Sequence, residues 1–337
     1  METTTRSRRG GMGQSADGSL PAALAGESAI VRRARAALDA ATASPILILA
    51  DEGLEPAAAA WHVHARSRPN QPFVCVDCAQ PDPEQVEAAL LGSRPRTAGD
   101  LEILGSTAAL LAARRGTLFL ENLSDLPAVA QRRLARVLRD GEARTGRRDR
   151  VRVIARIIAS APPTLAADAR DGRFRADLLR RFAAQQVTLP PLRTRPEDLS
   201  AIVQRLAVEI SAAAGRPAPA FTQAALTVLA AFQWPGNIVE LRAALERILR
   251  EASGPIVRQE DILPTLPVEG MAGRTPLVSL REARRRFERE YIAAVLERHQ
   301  WRMSDAARTL GIERANLYRK ARQLGISRGV QAEERSQ

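Results

Sequence analysis

Short apolar runs alternate with stretches of helical periodicity through the first half of the chain. Stretches between the runs carry apolar residues at helical spacing, beginning with Ser28–Ala41. Strands that are covered on both faces appear as continuous apolar runs, and strands that alternate with helices form parallel sheets. The sequence therefore predicts an α/β core with a parallel sheet, whose strands lie in Pro45–Ala50, Phe73–Val76, Gly116–Leu120 and Val151–Ala159.

The pattern changes to helices alone after Pro196. Three amphipathic helices are predicted, over Leu199–Ala213, Gln223–Phe232 and Ile238–Ala252. A segment rich in proline and glycine follows them and is typical of a linker. We expect a disordered tail over 1–27, the α/β core over 28–195, a small α-helical lid over 196–263, the linker over 264–276, an all-α C-terminal domain over 277–330 and a second tail over 331–337.

The C-terminal domain has the pattern of a helix-turn-helix. A long helix with an apolar stripe from Leu280 to Val295 is followed by a helix that Ser304 can cap, and Gly311 suits the turn. The last helix, Glu313–Leu324, directs Leu317, Ala321 and Leu324 inward. Its predicted outer face carries Arg314, Asn316, Tyr318, Arg319, Lys320 and Arg322. Such a face can contact bases and phosphates, although a solvated basic hairpin would show the same periodicity.

The overall charge also favours a nucleic-acid partner. Lys and Arg total 50 against 38 Asp and Glu, a net charge of +12, and Lys320 is the only lysine. Positive charge of this size attracts polyanions whatever their sequence. The N-terminal segment has no apolar targeting run, and no window approaches the ~18 consecutive apolar residues of a membrane span. We therefore expect a cytoplasmic protein with no membrane partner.

The cysteines and histidines do not predict a metal site. Cys75 and Cys78 lie in a strand-like apolar run without a second pair, so we expect a structural role. His62 and His64 are two residues apart on a predicted helix and should point to different faces.

The segment Ser304–Lys320 resembles the Fis-type helix-turn-helix of bacterial enhancer-binding activators, through its A-A-x-x-L-G-I and L-Y-R-K motifs. The resemblance implies that the preceding long helix dimerises and that double-stranded DNA is bound at two half-sites. Arg314, at the start of the last helix, is the expected base-reading residue. Arg322, two turns later, is expected to contact phosphate.

Residues 28–263 resemble the AAA+ module of the NtrC-like activators, which use ATP to remodel sigma-54 RNA polymerase. The blocks that carry this resemblance are Gly116–Leu120, Phe174–Leu178, Leu189–Arg193 and Trp234–Asn237. The resemblance implies an AAA+ fold and places a nucleotide site at the turn after the first strand.

Several positions of that site depart from the family. Only Gly53 remains of the phosphate-loop glycines, and Pro56 stands where the family has its lysine. The family's Asp-Glu pair is Glu121-Asn122, and an amide cannot accept the proton of an attacking water. The two sensor positions are occupied by Pro162 and Val239.

Two further family features lack a function here. Arg175 and Arg181 match the family's trans-acting arginines but would have no phosphate to stabilise. The sigma-contacting loop, G-A-F-T-G-A in the family, is replaced within Leu91–Asp100 by a polar segment. We expect no catalytic residues, no ATP hydrolysis and no cofactor.

The sequence thus predicts a sequence-specific DNA-binding regulator, a homodimer or higher oligomer, whose AAA+-like domain is an ATP-independent scaffold. RNA polymerase or another AAA+ regulator is a candidate protein partner. Two alternatives stay open: an active ATP-dependent sigma-54 activator, and a Fis-like architectural protein with little sequence preference.

Overall fold

A computed structural model describes residues 20–41, 45–92, 101–145, 150–252, 254–266, 292, 295–296, 299, 301–310, 314–324 and 326. The chain divides into two compact units, Met1–Met271 and Ala272–Gln337. Among the described residues, no helix is both long enough and apolar enough to cross a membrane.

The first unit is built on a five-stranded parallel sheet and contains two smaller sheets. The described strands are β1 (Ile46–Leu49), β2 (Phe73–Asp77), β3 (Ile103–Leu104), β4 (Thr117–Glu121), β5 (Glu142–Thr145), β6 (Arg150–Arg152), β7 (Arg156–Ala161), β8 (Gln186–Thr188), β9 (Ala220–Phe221) and β10 (Ile256–Val257). The parallel sheet has the order β2-β4-β7-β1-β8. Three further strands form a second sheet in the order β3-β5-β6, and β9 pairs with β10. The prediction of a parallel α/β core is confirmed.

Helices cover both faces of the main sheet and form the lid behind it. The Ser28 hydroxyl accepts a hydrogen bond from the Val31 amide and so caps the first helix. In the first unit the described helices are α1 (Ala29–Asp39), α2 (Pro56–Ser67), α3 (Pro83–Leu91), α4 (Ala109–Ala112), α5 (Ala128–Asp140), α6 (Leu165–Arg170), α7 (Ala176–Leu179), α8 (Leu199–Ala213), α9 (Gln223–Ala230), α10 (Asn237–Glu251) and α11 (Gln259–Ile262). Short 3-10 helices include Ala22–Leu24, Arg180–Phe182 and Leu192–Thr194.

Successive side chains of the strands alternate between two apolar clusters. Ile46 and Ile48 join a cluster that contains α1, α2 and the lid helices, whereas Leu47 points to the opposite cluster around α3 and α5. This alternation is the two-residue period of a strand. The lid shares its apolar cluster with one face of the core sheet.

The structure differs from the predicted strands in two places. The predicted strand Val151–Ala159 is divided between β6, which pairs antiparallel with β5, and the fully buried β7. Arg150 and Arg152 are exposed, so the first half of this run lacks the double burial of the second. In the lid, β9 and β10 add a two-residue parallel pairing where only helices were predicted.

The predicted tail over 1–27 is too long, because residues 20–27 pack on the first unit. Ala22–Leu24 is buried, and the fully buried Arg195 donates hydrogen bonds to the Ala23 and Ala25 carbonyls at 2.7 and 3.3 Å. Burial lowers the pKa of Arg195 to about 10. The Asp198 carboxylate accepts from the Glu27 and Ser28 amides. A mainly apolar segment is thus held in place by residues far along the chain.

The second unit contains α12 (Met303–Leu310) and α13 (Arg314–Gln323). Helix α12 begins before Ser304, which therefore lies in its first turn and is not its cap. Leu280 and Gly311 lie outside the described residues. A small core joins the two helices to the end of the preceding segment through Ile292, Val295, Leu296, Ala306, Ala307 and Leu317. The prediction of a C-terminal helix-turn-helix is confirmed.

Candidate nucleotide cleft and DNA-binding helix

A cleft of about 520 Å³ lies at the carboxyl ends of β1, β4 and β7. In open α/β sheets this edge is the usual place for ligands. Five of its described lining residues carry carboxylates, and none is Lys or Arg. The lining consists of Ala50, Asp51, Glu52, Gly53, Glu55, Pro56, Glu121, Asn122, Ser124, Asp125, Ser160, Ala161, Pro162 and Val239.

The loop between β1 and α2 brings Gly53 and Pro56 to the cleft, as the sequence predicts. Gly53 has a φ of 78°, and a Cβ there would collide with the Gly236 carbonyl oxygen. Pro56 is the first residue of α2 and has no N–H to donate. The loop therefore needs a glycine at position 53 because the lid packs against it. The start of α2 lacks one of the backbone N–H groups that bind phosphate at the helix N-termini of other nucleotide-binding proteins.

Glu121 is the last residue of β4 and Asn122 follows it, and both line the cleft. The Asn122 amide donates to the Asp77 carboxylate at 3.0 Å, and its backbone N–H donates to the Ser160 hydroxyl at 3.2 Å. The Cys75 thiol lies 3.9 Å from Glu121 Oε2. The Asn122 side chain is thus a hydrogen-bond donor to a carboxylate and has no capacity to act as a general base.

Two arginines that we did not single out from the sequence bind carboxylates of the cleft. Arg193 Nη2 lies 2.7 Å from Asp51 Oδ2, and Arg242 Nη2 lies 3.2 Å from Glu55 Oε2. Only Arg193 had an indication in the sequence, because it belongs to the Leu189–Arg193 block that carries the family resemblance.

The expected sensor positions lie at the cleft without sensor chemistry. Pro162 lines it beyond β7, and Val239 lines it from the first turn of α10 with 53% of its surface exposed. The Val239 amide donates to the Gly53 carbonyl at 3.1 Å. An aliphatic side chain offers no hydrogen bond to a nucleotide.

Arg175 and Arg181 are exposed and do not line the cleft of their own chain. Arg175 forms a two-pronged ion pair with Asp177, at 2.9 and 2.6 Å, and this hydrogen bonding raises the pKa of Arg175. Arg181 lies in the 3-10 helix Arg180–Phe182.

Cys78, His62 and His64 are buried, and the contacts of the cysteines and histidines fit structural roles. Neither cysteine forms a disulfide, and burial raises the pKa of Cys78 well above its usual range. His62 lies 3.6 Å from Asp39, whereas His64 Nδ1 lies 2.9 Å from the Thr117 hydroxyl. The prediction that the two histidines face different ways is confirmed, and burial lowers the pKa of each.

Helix α13 buries Leu317 and Ala321 and turns a basic face outward. The Arg319 guanidinium donates to the Asn316 side-chain oxygen at 3.1 Å, which holds both side chains on that face. The side chain of Arg322 and residues 93–100 of the expected sigma-contacting loop lie outside the described residues. Arg314, Tyr318 and Arg319 are exposed, and Asn316 and Lys320 are partly exposed.

Three family profiles match the chain. The sigma-54 interaction domain matches residues 24–188, an AAA+ ATPase lid domain matches 193–275, and the Fis family of bacterial regulatory proteins matches 283–324.

Among similar proteins, the nitrogen assimilation regulatory protein NtrX of Azorhizobium caulinodans is 35% identical over 91% of this chain and 70% of its own length. The regulatory protein AtoC of Escherichia coli is 34% identical over 81% of this chain and 60% of its own length. The chain is thus shorter than both relatives.

A crystal structure of NtrX from Brucella abortus with ATP superposes with a TM-score of 0.64 at 32% identity, covering 89% of this chain and 69% of that one. The ADP complex gives a TM-score of 0.62 at 33% identity, covering 92% and 69%. With its AAA+ core, helical lid and Fis-type helix-turn-helix, the chain belongs to the NtrC-like family of sigma-54-dependent bacterial transcriptional regulators.

Proposed function

We propose that this regulator acts on DNA without binding or hydrolysing ATP, and that its AAA+-like domain is a scaffold for oligomerisation or for a protein partner. The observation that carries the proposal is the charge of the cleft. Five carboxylates line the site where the family binds a triphosphate, and the described cations next to them are two arginines, Arg193 and Arg242, each paired with one of the five, so that negative charge remains in excess. Like charges repel more strongly at the reduced dielectric of a cleft than in water, so a nucleotide would enter against this field.

The residues after β4 support the same proposal for the chemical step. Hydrolysis needs a carboxylate that orients or deprotonates water. Asn122 stands at that position and donates its amide to Asp77 at 3.0 Å. The chain's only lysine, Lys320, belongs to α13 in the other unit. Neither phosphate neutralisation by lysine nor water activation by Asn122 is available in the cleft.

The rival is an ATP-dependent activator, and one finding favours it: NtrX of Brucella abortus, a relative, has been crystallised with ATP and with ADP. Phosphate release by the full chain distinguishes the two functions. With millimolar ATP, Mg²⁺ and duplex DNA, we expect a rate equal to that of a protein-free blank. Release that survives repeated purification and disappears in Glu121→Ala would establish the rival, because only activity of this cleft depends on Glu121.

For the second unit, we propose that α13 enters the major groove of double-stranded DNA. Arg314 and Asn316 are the base-reading candidates, whereas Arg319, Lys320 and Arg322 are assigned to phosphates. The exposed Arg314 and Arg319 of α13 support this arrangement. A dimer would present two such helices to paired half-sites. RNA polymerase, or another AAA+ regulator, is the partner class that we propose for the scaffold.

A further inference from the structure

Glu55 adopts a backbone conformation that is unusual for its residue type. It immediately precedes α2 with φ 50° and ψ 56°, in the left-handed region, where Cβ crowds the neighbouring carbonyl oxygen. Its side chain does not cap α2. Instead Oε2 lies 3.2 Å from Arg242 Nη2, on a helix of the lid. A strained residue at the cleft is thus directed toward the lid.

Arg242 connects Glu55 to a second carboxylate within the lid. Its Nη1 and Nη2 each lie 3.2 Å from Glu209 Oε2 on α8, and Arg205 donates to the other Glu209 oxygen at 2.9 Å. Arg242, Glu55 and Glu209 are only 23 to 29% exposed, so solvent screens them less than surface charges. Burial alone would lower the pKa of Arg242, but the two carboxylates raise it above its ordinary value.

A second set of contacts joins the same two parts through the backbone. Asn237, fully buried at the start of α10, accepts from the Leu192 amide at 3.0 Å and donates to the Glu52 carbonyl at 2.8 Å. Next to it, the Val239 amide donates to the Gly53 carbonyl at 3.1 Å. The lid therefore hydrogen-bonds directly to two carbonyls of the loop.

We infer that the three residues Glu55, Arg242 and Glu209 form a core–lid clamp, which holds the cleft in one closed arrangement without any nucleotide. The clamp extends the proposed ATP-independent function and rests on it, since a nucleotide in the cleft would compete with Arg242 for the space at Glu55. Core and lid then move as one body, so the orientation of the lid does not depend on nucleotide binding.

Hydrogen exchange of the full chain, read by mass spectrometry, tests the clamp. The Val239 and Leu192 amides report on it, because each is hydrogen-bonded across the core–lid boundary. In Arg242→Met we expect both to exchange about tenfold faster than in the parent chain, the size expected when a partly buried ion pair no longer opposes local opening. Arg247→Met, an exposed arginine on the same helix, is the matched control and should leave both rates unchanged.

A second variant keeps the test decisive if Arg242→Met does not fold. Glu55→Gly removes the carboxylate and the strain together, so it should speed exchange at Val239 while the β1 amides keep their protection. Unchanged exchange at Val239 in both variants would overturn the clamp. Adding millimolar ATP to the parent chain separates the two ideas: slower exchange of residues 51–57 would contradict the ATP-independent function, whereas the variants alone decide the clamp.

Discussion

Replacing Arg314, Arg319 and Lys320 together by alanine is expected to weaken DNA binding by roughly 100- to 1,000-fold, because a lost base contact costs ~1 to 3 kcal/mol and two phosphate contacts are lost with it. Arg314 and Arg319 are exposed and Lys320 is partly exposed, whereas Leu317 and Ala321 of the same helix are buried. The dependence of log K on log salt should become shallower by about two, one for each phosphate contact. Fluorescence anisotropy with a selected duplex at several salt concentrations measures both quantities.

The control for this variant removes the same charge elsewhere. Alanine at Arg32, Arg33 and Arg132, all exposed in the first unit, lowers the net charge equally and should change affinity by less than about threefold. Arg314→Ala alone should relax preference at one base position in each half-site. If the control triple weakens binding as much as the α13 triple, the assigned surface is wrong; if Arg314→Ala lowers specific and scrambled affinity equally, the architectural alternative gains.

Replacing Arg133 by methionine is expected to lower the free energy of unfolding by about 3 to 5 kcal/mol, the usual effect of leaving a buried charge without its partner. Arg133, on α5, is 5% exposed, and its guanidinium contacts two carboxylates: Glu102 at 2.6 Å and Glu87 at 2.7 Å. It also donates to the Ile103 carbonyl at 3.1 Å. Glu102 is 3% exposed, and after the change its carboxylate would keep only the exposed Arg136, whose Nη1 lies 3.6 Å from Oε2, among the described cations. Urea titration followed by circular dichroism measures the change.

Two companion variants make this measurement specific. Arg132→Met changes the exposed neighbour and should stay within ~0.5 kcal/mol of the parent chain. Arg133→Met combined with Glu102→Leu should recover much of the loss, because apolar residues can replace a buried ion pair. A single variant as stable as Arg132→Met would show that the network contributes nothing to stability.

The elements predicted best from the sequence are those whose burial is uniform. Residues 117–120 are buried on both sides, so their apolar run alone indicates β4. Leu199–Ala213 begins and ends in the structure where its periodicity predicts. The prediction for Val151–Ala159 is right for residues 156–159, which lie in β7, and wrong for its first half. Arg150–Arg152 pairs in a second sheet with exposed charges, a tertiary context that a local hydrophobic pattern does not contain.

The sequence indicated residues that line the cleft, but it did not indicate which residues form ion pairs and hydrogen bonds with them. The cleft contains Gly53, Pro56, Glu121, Asn122 and Val239, the positions that the family resemblance indicates. The missed contacts join residues far apart in sequence. Arg242 meets a carboxylate 187 positions away, the Asn122 amide meets one 45 positions away, and no local spacing encodes either. The same reason applies to residues 20–27, whose order depends on side chains about 170 positions later.

Calorimetric titration of the full chain with ATP and Mg²⁺ shows whether the cleft binds ATP. We expect no saturable heat up to ~1 mM ATP and no rise in the unfolding temperature, since a ligand stabilises the fold only as far as it binds. Saturable binding with a micromolar Kd would contradict the proposed ATP-independent function, and at a thousand times that Kd the ligand would add about 4 kcal/mol to the stability.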